Sequence, residues 1–525
     1  PGPTSAEHSP RRPPATNPTP ISEVRLEVDT FNEIGEYVAR ATQLLHAHGW
    51  HRTCHILRGD RSDIHPDVKY LPHQAAPIMD RIRRNGAPVI LSSAPWSAET
   101  KHERFTRGPH NSAHEYVDFL GTEFLDFLQK GYWMLLPYSV VKDMLDLRLS
   151  PLGVVPQRER RPRVIVDYTF YGVNADTLKL GPADAMQFGK AIERLLNAAV
   201  QSHPKFGPLL HYKVDISDGF YRIQVSTSGV KKLGVLLPEF PGLPPLVAFP
   251  LVLPMGWTDS PPFFCVFTGT ICDLTSAALN RNVRLPRHKL EGLAGTLDYA
   301  DCKSSSGMPL TREEGSLASG PLLPDSSDSR PAAVPRSHHS RLQIKPTAYV
   351  DVFVDDFCGE GQNSRMNPLK NQRRTLFHAI DQVFRPNDKD DNPYRKEPIS
   401  ISKLDKGDAA LHDEKPFLGW DFHGSTKELR MAPHRREAAI DHLNQLLAKA
   451  TAGRKDWEKI LGELRSLVPG IPGSHGQFSI LQAAISNGRT RIKVRGAIRR
   501  QLQTFRALLV IITRPTSTSL PLLHL

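Results

Sequence analysis

Cysteine is scarce: Cys54, Cys265, Cys272, Cys302 and Cys358 are scattered over 525 residues with no CxxC pair. That spacing argues against a disulfide-stapled scaffold and a structural zinc site, and it fits a reducing, intracellular compartment, cytoplasmic or nuclear. Nor is there a run of about 18 or more uncharged apolar residues, so no membrane span and no membrane partner is expected. A secretory leader is also missing, and the chain opens on Pro1, which reads as a fragment of a longer product. Acidic residues are the minority charge, 55 Asp plus Glu against 67 Lys plus Arg, a formal +12. A surplus of that sign favours polyanionic partners without proving one.

The length is sufficient for about two to four domains with substantial cores. Residues 1–22 are Pro-rich, hold few large apolar side chains, and are expected to form a disordered tail. Residues 23–110 show patchy helical periodicity (Phe31, Ile34, Val38, Ala41, Leu44, Leu45) and no legible function. A clearer helix is predicted over Glu115–Lys130, with Phe119, Leu120, Phe124, Phe127 and Leu128 on one face and Gly131 just past its end. Strand-like and turn-like pieces then alternate, among them "YWMLLP", "RLSPLGVVPQ", "RPRVIVDY", "HYKVDISDGFYRIQV", "KKLGVLLPEF" and "LVAFPLVLPMGW". Short strands mixed with helices predict an α+β fold built on an antiparallel sheet. Residues 303–345, rich in Ser, Pro and Gly, read as a disordered insertion. Beyond it come a helix near Asn371–Phe384 and two amphipathic helices. One of these carries Ile440, Leu443, Leu446 and Leu447, the other Trp457, Ile460, Leu461, Leu464 and Leu467. The turn "VPGIPGSHG" closes that pair, and Arg489–Arg506 carries seven basic residues and no acidic one.

The stretch "VDVFVDDFCGEG", Val350–Gly361, sets Asp355 and Asp356 side by side in a run that otherwise reads as a buried strand. Burying one carboxylate is costly and a second like charge adds to the cost, so something positive must meet them. Asp215 lies 140 positions upstream, at the end of a strand predicted from Val214, Ile216, Ile223 and Val225 that bends at Gly219. If the two strands are neighbours, Asp215 and Asp355 would jointly hold two divalent cations about 3.5–4 Å apart. Mg²⁺, with Mn²⁺ as the alternative, takes such hard oxygen ligands, and the chemistry implied is nucleotidyl transfer. An isolated Asp-Asp dipeptide most often caps a solvated turn; the apolar flank of Val352, Phe353 and Val354 and the second site at Asp215 weigh against that here.

"RPRVIVDY", "KVDISDGFYRI", "LPMGWTDSPPFF", "VFVDDF" and "FLGW" follow one another in an order and spacing that resembles reverse transcriptases, specifically those of retroelements. The resemblance covers roughly Glu115–Leu481. It implies a right-hand polymerase with fingers at 111–210, an antiparallel palm at 211–302 and 346–430, and thumb-like helices at 431–505. An N-terminal extension (23–110) and a C-terminal tail (506–525) flank them. It also implies an RNA-directed DNA polymerase that adds dNTPs to a primer on an RNA or DNA template, with the oligomeric state left open. Asp215, Asp355 and Asp356 match the catalytic, metal-binding carboxylates, Asp356 being the less direct participant. Among nucleotide-binding positions, Arg163 matches the fingers arginine on the triphosphate, with Arg160 or Arg161 adding charge. Phe220 matches the aromatic steric gate that excludes a 2′-hydroxyl. Gly256 matches the close-approach glycine before a helix opened by Ser260 and Pro261. Met255 departs from the retroviral Gln, whose hydrogen bonds a thioether cannot make. "DYTFYGVN" is two residues longer than the common pattern, with Thr169 where Arg often stands. Lys403 is a candidate for the lysine that assists the leaving pyrophosphate, with Lys396 and Lys406 as competitors. Phe417, Leu418, Gly419 and Trp420 match the primer-grip hairpin, and Arg489–Arg506 would contact the template–primer backbone. No RNase H, protease or integrase signature is found in this chain. Two further readings stay open: a decayed or domesticated nucleic-acid-binding remnant, and a polymerase of the same fold with another template or product.

Overall fold

A computed structural model describes residues 21–59, 61–157, 160–295, 345–364, 369–471, 474–485 and 490–511. Nearly all of the expected N-terminal tail and insertion, and the end of the C-terminal tail, lie outside these residues. The chain divides into two units, each gathered from three segments. The first takes Pro1–Met186, Asp218–Thr270 and Asp381–Pro398; the second takes Gln187–Ser217, Ile271–Ile380 and Ile399–Leu525.

In the first unit, the patchy periodicity of the extension resolves into one helical stretch, Ile21–Arg58, interrupted at Gly49, whose φ of 71° leaves the helical region. Phe31, Ile34, Val38 and Ala41 are buried as their spacing requires. This face packs on helix Val117–Gln129 and strand Trp133–Pro137. The shorter helix buries Leu120, Phe124 and Leu128, and it stops where Gly131 takes a φ of 69°. A five-stranded sheet runs in the order Trp133–Pro137, Leu246–Pro250, Gly234–Leu236, Leu149–Gln157, Arg160–Val166. It is mixed, because Leu149–Pro151 pairs parallel with Gly234–Leu236, where purely antiparallel pairing is predicted from sequence. Parallel neighbours need a crossover of a dozen residues or more, and far more than that separates these two strands. Helix Ser260–Asn280, whose residues to Thr270 belong to this unit, is long and apolar enough by length and composition to cross a membrane, despite Asp273. Sequence inspection finds no such segment; 61% of the apolar window is buried inside the protein, as in a core helix.

In the second unit, strands β1 (Leu210–Asp215), β2 (Ala348–Phe353) and β3 (Asp356–Gly361) form an antiparallel sheet with β3 in the middle. The run Val350–Gly361 is therefore two strands joined by a tight turn at Val354 and Asp355, and not one strand. Likewise, the strand predicted to bend at Gly219 ends at Asp215; a 3₁₀ turn, Gly219–Arg222, follows in the first unit, entered through Asp218 at φ 55°. Helix Ala191–Gln201 packs its buried Ile192, Leu195, Leu196 and Ala199 towards β2 and β3. A second sheet follows, with β5 (Trp420–His423) between β4 (Glu414–Phe417) and β6 (Glu428–Met431).

Helix Arg454–Leu467 buries Trp457, Ile460, Leu461, Leu464 and Leu467, the stripe that a 3.6-residue repeat predicts. Each such side chain contributes about 1.5–3 kcal/mol when fully buried. With helices Pro433–Leu447, Ser474–Ala483 and Gly496–Ile511 it closes a core that includes Phe417, Trp420, Phe478 and Phe505. Around the basic stretch, Arg491, Lys493, Arg495, Arg499, Arg500 and Arg506 are exposed; Arg489 lies outside the described residues.

Candidate active site

β1 and β3 pair so that Asp215 stands directly opposite Asp356, and Asp355 occupies the adjoining turn. Directly opposed residues of an antiparallel pair lie about 4.5–5.5 Å apart at Cα, so register alone brings together carboxylates that are distant in sequence. The turn is tied to the end of β1, the Ile216 amide donating to the Asp355 carbonyl at 3.3 Å. From the other side the Ser400 amide donates to the Asp215 carbonyl at 2.9 Å. The turn is also strained: Val354 adopts φ 60°, a region that β-branched residues avoid. Two-residue hairpin turns match the right-handed twist of their strands by taking positive φ at the first central position, which normally calls for glycine.

The electrostatics fit the cost argued from the sequence. Asp215 is held up at about 7, first by burial, then by the charges of Asp356 and Asp355, with Lys403 opposing. A hydrogen bond between the carboxyls of Asp215 and Asp356 acts in the same direction. Asp355 is raised for the same two reasons, burial and Asp356, and Lys403 again lowers it. The nearby buried Asp351 differs. On β2, it receives Nε and Nη2 of Arg194 at 2.6 and 2.7 Å and the Tyr349 hydroxyl at 2.7 Å, so its charge is neutralised inside the protein. Asp215, Asp355 and Asp356 thus offer hard oxygen donors to a divalent cation, while Asp351 is committed to an ion pair. Among the described residues no cluster of three or more His, Cys, Asp or Glu side chains forms a ready metal cage.

Of the three competing lysines, Lys403, on helix Ile401–Asp405, acts on the carboxylates, and its Nζ is 4.0 Å from Asp408. Lys396 belongs to the first unit and pairs with Asp218 at 3.1 Å; Lys406 is the C-cap of the Lys403 helix. Phe417, Leu418, Gly419 and Trp420 form a tight β4–β5 hairpin. Phe417 and Trp420 pair and are buried, while Leu418 and Gly419 turn with φ of 53° and 86°. Arg435 pins this tip, donating to the Leu418 carbonyl at 3.0 Å and to Ser466 Oγ at 2.8 Å. A Cβ on Gly419 would collide with that guanidinium.

The remaining predicted residues belong to the first unit. Arg163 is exposed on strand Arg160–Val166, whereas Arg161 is paired with Glu123. Phe220 packs on Phe264 with ring centroids 4.9 Å apart. Met255 is 57% exposed. Gly256, at φ 95°, has a local reason to be glycine, because a Cβ there would strike the Val166 carbonyl. Ser260 begins its helix but donates Oγ to the Pro254 carbonyl at 2.7 Å.

Sequence reasoning missed Arg435 and Arg194, and it read Val354 as strand flank where it is a turn residue. Only Val354 carried a signal, a non-glycine residue ahead of two aspartates between two strand-forming runs.

No family model matches the chain, and no curated protein matches it. Among solved structures it is similar to a foamy viral protease-reverse transcriptase dRH in complex with double-stranded DNA, at 15% identity and a TM-score of 0.39. It is also similar to the foamy viral protease-reverse transcriptase with an RNA/DNA hybrid, at 13% and 0.40, and with double-stranded DNA, at 13% and 0.39. Each alignment covers 86% of this chain, and 58%, 45% and 70% of the respective neighbours. Likeness at this level assigns neither family nor activity.

Proposed function

We propose that this chain is the polymerase of a retroelement, an RNA-directed DNA polymerase that extends a primer 3′ end with dNTPs. The observation that carries the reading is the register of β1 on β3, which sets Asp215 against Asp356 beside the Asp355 turn. The five ordered motifs support it. A half-buried, mutually repelling carboxylate group is costly for folding alone and is suited to recruiting cations.

In the reaction the primer 3′ oxygen attacks the α-phosphorus of a dNTP, the bond to the β-phosphate oxygen breaks, and pyrophosphate leaves. Asp215 and Asp355 would hold two Mg²⁺ ions, which supply charge neutralisation and a more acidic 3′-hydroxyl when bound. Asp356 shares the carboxyl hydrogen bond with Asp215 and, after burial, adds to the pull that keeps the Asp215 proton on. Lys403 places a cation near the carboxylates, suited to a departing pyrophosphate. Phe220 as the gate against ribonucleotides and Arg163 as a triphosphate ligand rest on their motifs. A right-hand division into fingers, palm and thumb belongs to the same proposal.

Extension of oligo(dT) on poly(rA) with dTTP and Mg²⁺ is the test. Wild type should incorporate dTTP, and Asp355→Asn should lose at least about 100-fold in rate while retaining template–primer binding. Binding without extension by the wild type would select the remnant reading, and efficient ribonucleotide use would overturn the role given to Phe220.

A further inference from the structure

Phe220 is held in two separate ways, both within the first unit. Its backbone is fixed by the 3₁₀ turn Gly219–Arg222, where the Tyr221 amide donates to the Asp218 carbonyl at 2.7 Å and the Ile223 amide to the Phe220 carbonyl at 3.2 Å. The two residues that follow clamp the same turn. Tyr221 meets the Phe127 ring edge-on at 5.5 Å, and Arg222 donates Nη2 to the carbonyls of Lys396 and Glu397 at 3.0 and 2.7 Å. None of these contacts touches the Phe220 side chain.

The ring is seated by different residues. Among the described residues the aromatic ring that Phe220 meets is Phe264, with centroids 4.9 Å apart and planes 52° from parallel. Phe220 is half-buried, whereas Phe264 is wholly buried on helix Ser260–Asn280. Phe264 in turn stacks on Phe384 at 6.3 Å, and Phe267, one helical turn further on, stacks on the same ring at 5.7 Å, both at 23°. Phe384 is itself fixed, because its backbone bridges to Ile64: the His65 amide donates to the Val383 carbonyl and the Arg385 amide to the Asp63 carbonyl, each at 2.9 Å. A close-packed aromatic stack has little spare volume, so it sets where its outermost, half-buried ring lies.

We infer that Phe264 is a positioning residue for sugar selection, holding the Phe220 ring where a 2′-hydroxyl would collide with it. The inference rests on the reading of Phe220 as the gate against ribonucleotides. Exclusion by collision depends on where the ring stands, and a ring free to tip by about 1 Å no longer rejects one additional hydroxyl. Leucine at position 264 keeps the core apolar but removes the ring on which Phe220 leans, opening space behind the gate.

Extension of oligo(dT) on poly(rA) by the full chain with dUTP and with UTP, which differ by the 2′-hydroxyl alone, tests this through the ratio of their kcat/KM values. Phe220→Val should lower the preference for dUTP by about 100-fold, and Phe264→Leu by about tenfold, chiefly through better use of UTP. Phe124→Leu, which removes a buried ring from helix Val117–Gln129, should leave the preference unchanged, because general destabilisation affects both nucleotides alike. Phe264→Leu added to Phe220→Val should lower the preference no further, since no gate is left to position. If Phe220→Val admits UTP while Phe264→Leu does not, or while Phe124→Leu does so equally, the inference is overturned and the gate stands. Additive effects in the double variant overturn the inference as well. If Phe220→Val still keeps UTP out, the gate falls and this inference with it, and a wild type that extends no primer overturns both together with the polymerase reading. Should Phe264→Leu not fold, Phe264→Met, an adaptable side chain in the same core position, decides in its place by the same outcomes.

Discussion

Asp215 gives the site a measurable pH signature. Its proton is held up to about 7 in the folded protein, while an unfolded aspartate titrates near about 3.9. Below about pH 4 both states are protonated. Between about 4 and 7 only the unfolded chain releases the proton, so this residue's contribution to stability falls as pH rises, and above 7 the loss is complete. In chelator, Asp215→Asn should therefore melt increasingly above wild type as pH climbs from 4 to 7, and saturating Mg²⁺ should narrow the gap. A gap that shrinks with rising pH would contradict the cause given for the shift. Val354 makes the second residue-scale prediction. A β-branched side chain at φ 60° stores about 1–3 kcal/mol, of which glycine's greater unfolded-state freedom returns part. Val354→Gly should stabilise the metal-free protein by on the order of 1 kcal/mol in urea denaturation; a loss would mean that the isopropyl group's packing outweighs the strain.

The β4–β5 hairpin shows what one element demands of its residues. Leu418 and Gly419 both turn left-handed, the pattern of a type I′ turn, and Arg435 lies where a side chain on Gly419 would go. Gly419→Ala therefore meets two penalties together, positive φ and a displaced guanidinium. A loss of about 1–3 kcal/mol is expected, read by thermal or urea unfolding. Arg435→Ala combined with Gly419→Ala should cost less than the sum of the two, because the collision is then gone. From Phe417–Trp420 alone a buried turn is as good a reading as a primer grip, and the sequence does not say which of the four would be core; Phe417 and Trp420 are. Trp420 donates Nε1 to the Ser466 carbonyl at 3.3 Å, and only Leu418 and Gly419 stay partly exposed at the tip. That division follows from packing against helices far along the chain.

For the molecule as a whole, the formal charge of +12 predicts that the nucleic-acid binding proposed above depends on salt. Binding to a primer–template duplex should weaken linearly in log K against log salt. Neutralising two exposed cations, Arg495→Gln with Arg500→Gln, should reduce the slope by about 2 if both meet phosphates. Fluorescence anisotropy at several salt concentrations measures this, and an unchanged slope would remove Gly496–Ile511 from the nucleic-acid contact.

By itself, the sequence determined the helices with strong stripes, such as Arg454–Leu467, and the place of the paired aspartates, because side-chain periodicity and charge are local properties. Tertiary structure alone decided that Asp215 faces Asp356 and that Asp351 is neutralised by Arg194. It also decided that Val350–Gly361 folds back on itself and that Gly256 is glycine for the sake of Val166. Strand pairing joins segments far apart in the chain, and no periodicity within either strand specifies its partner or register; those are settled when the two apolar faces meet a common core.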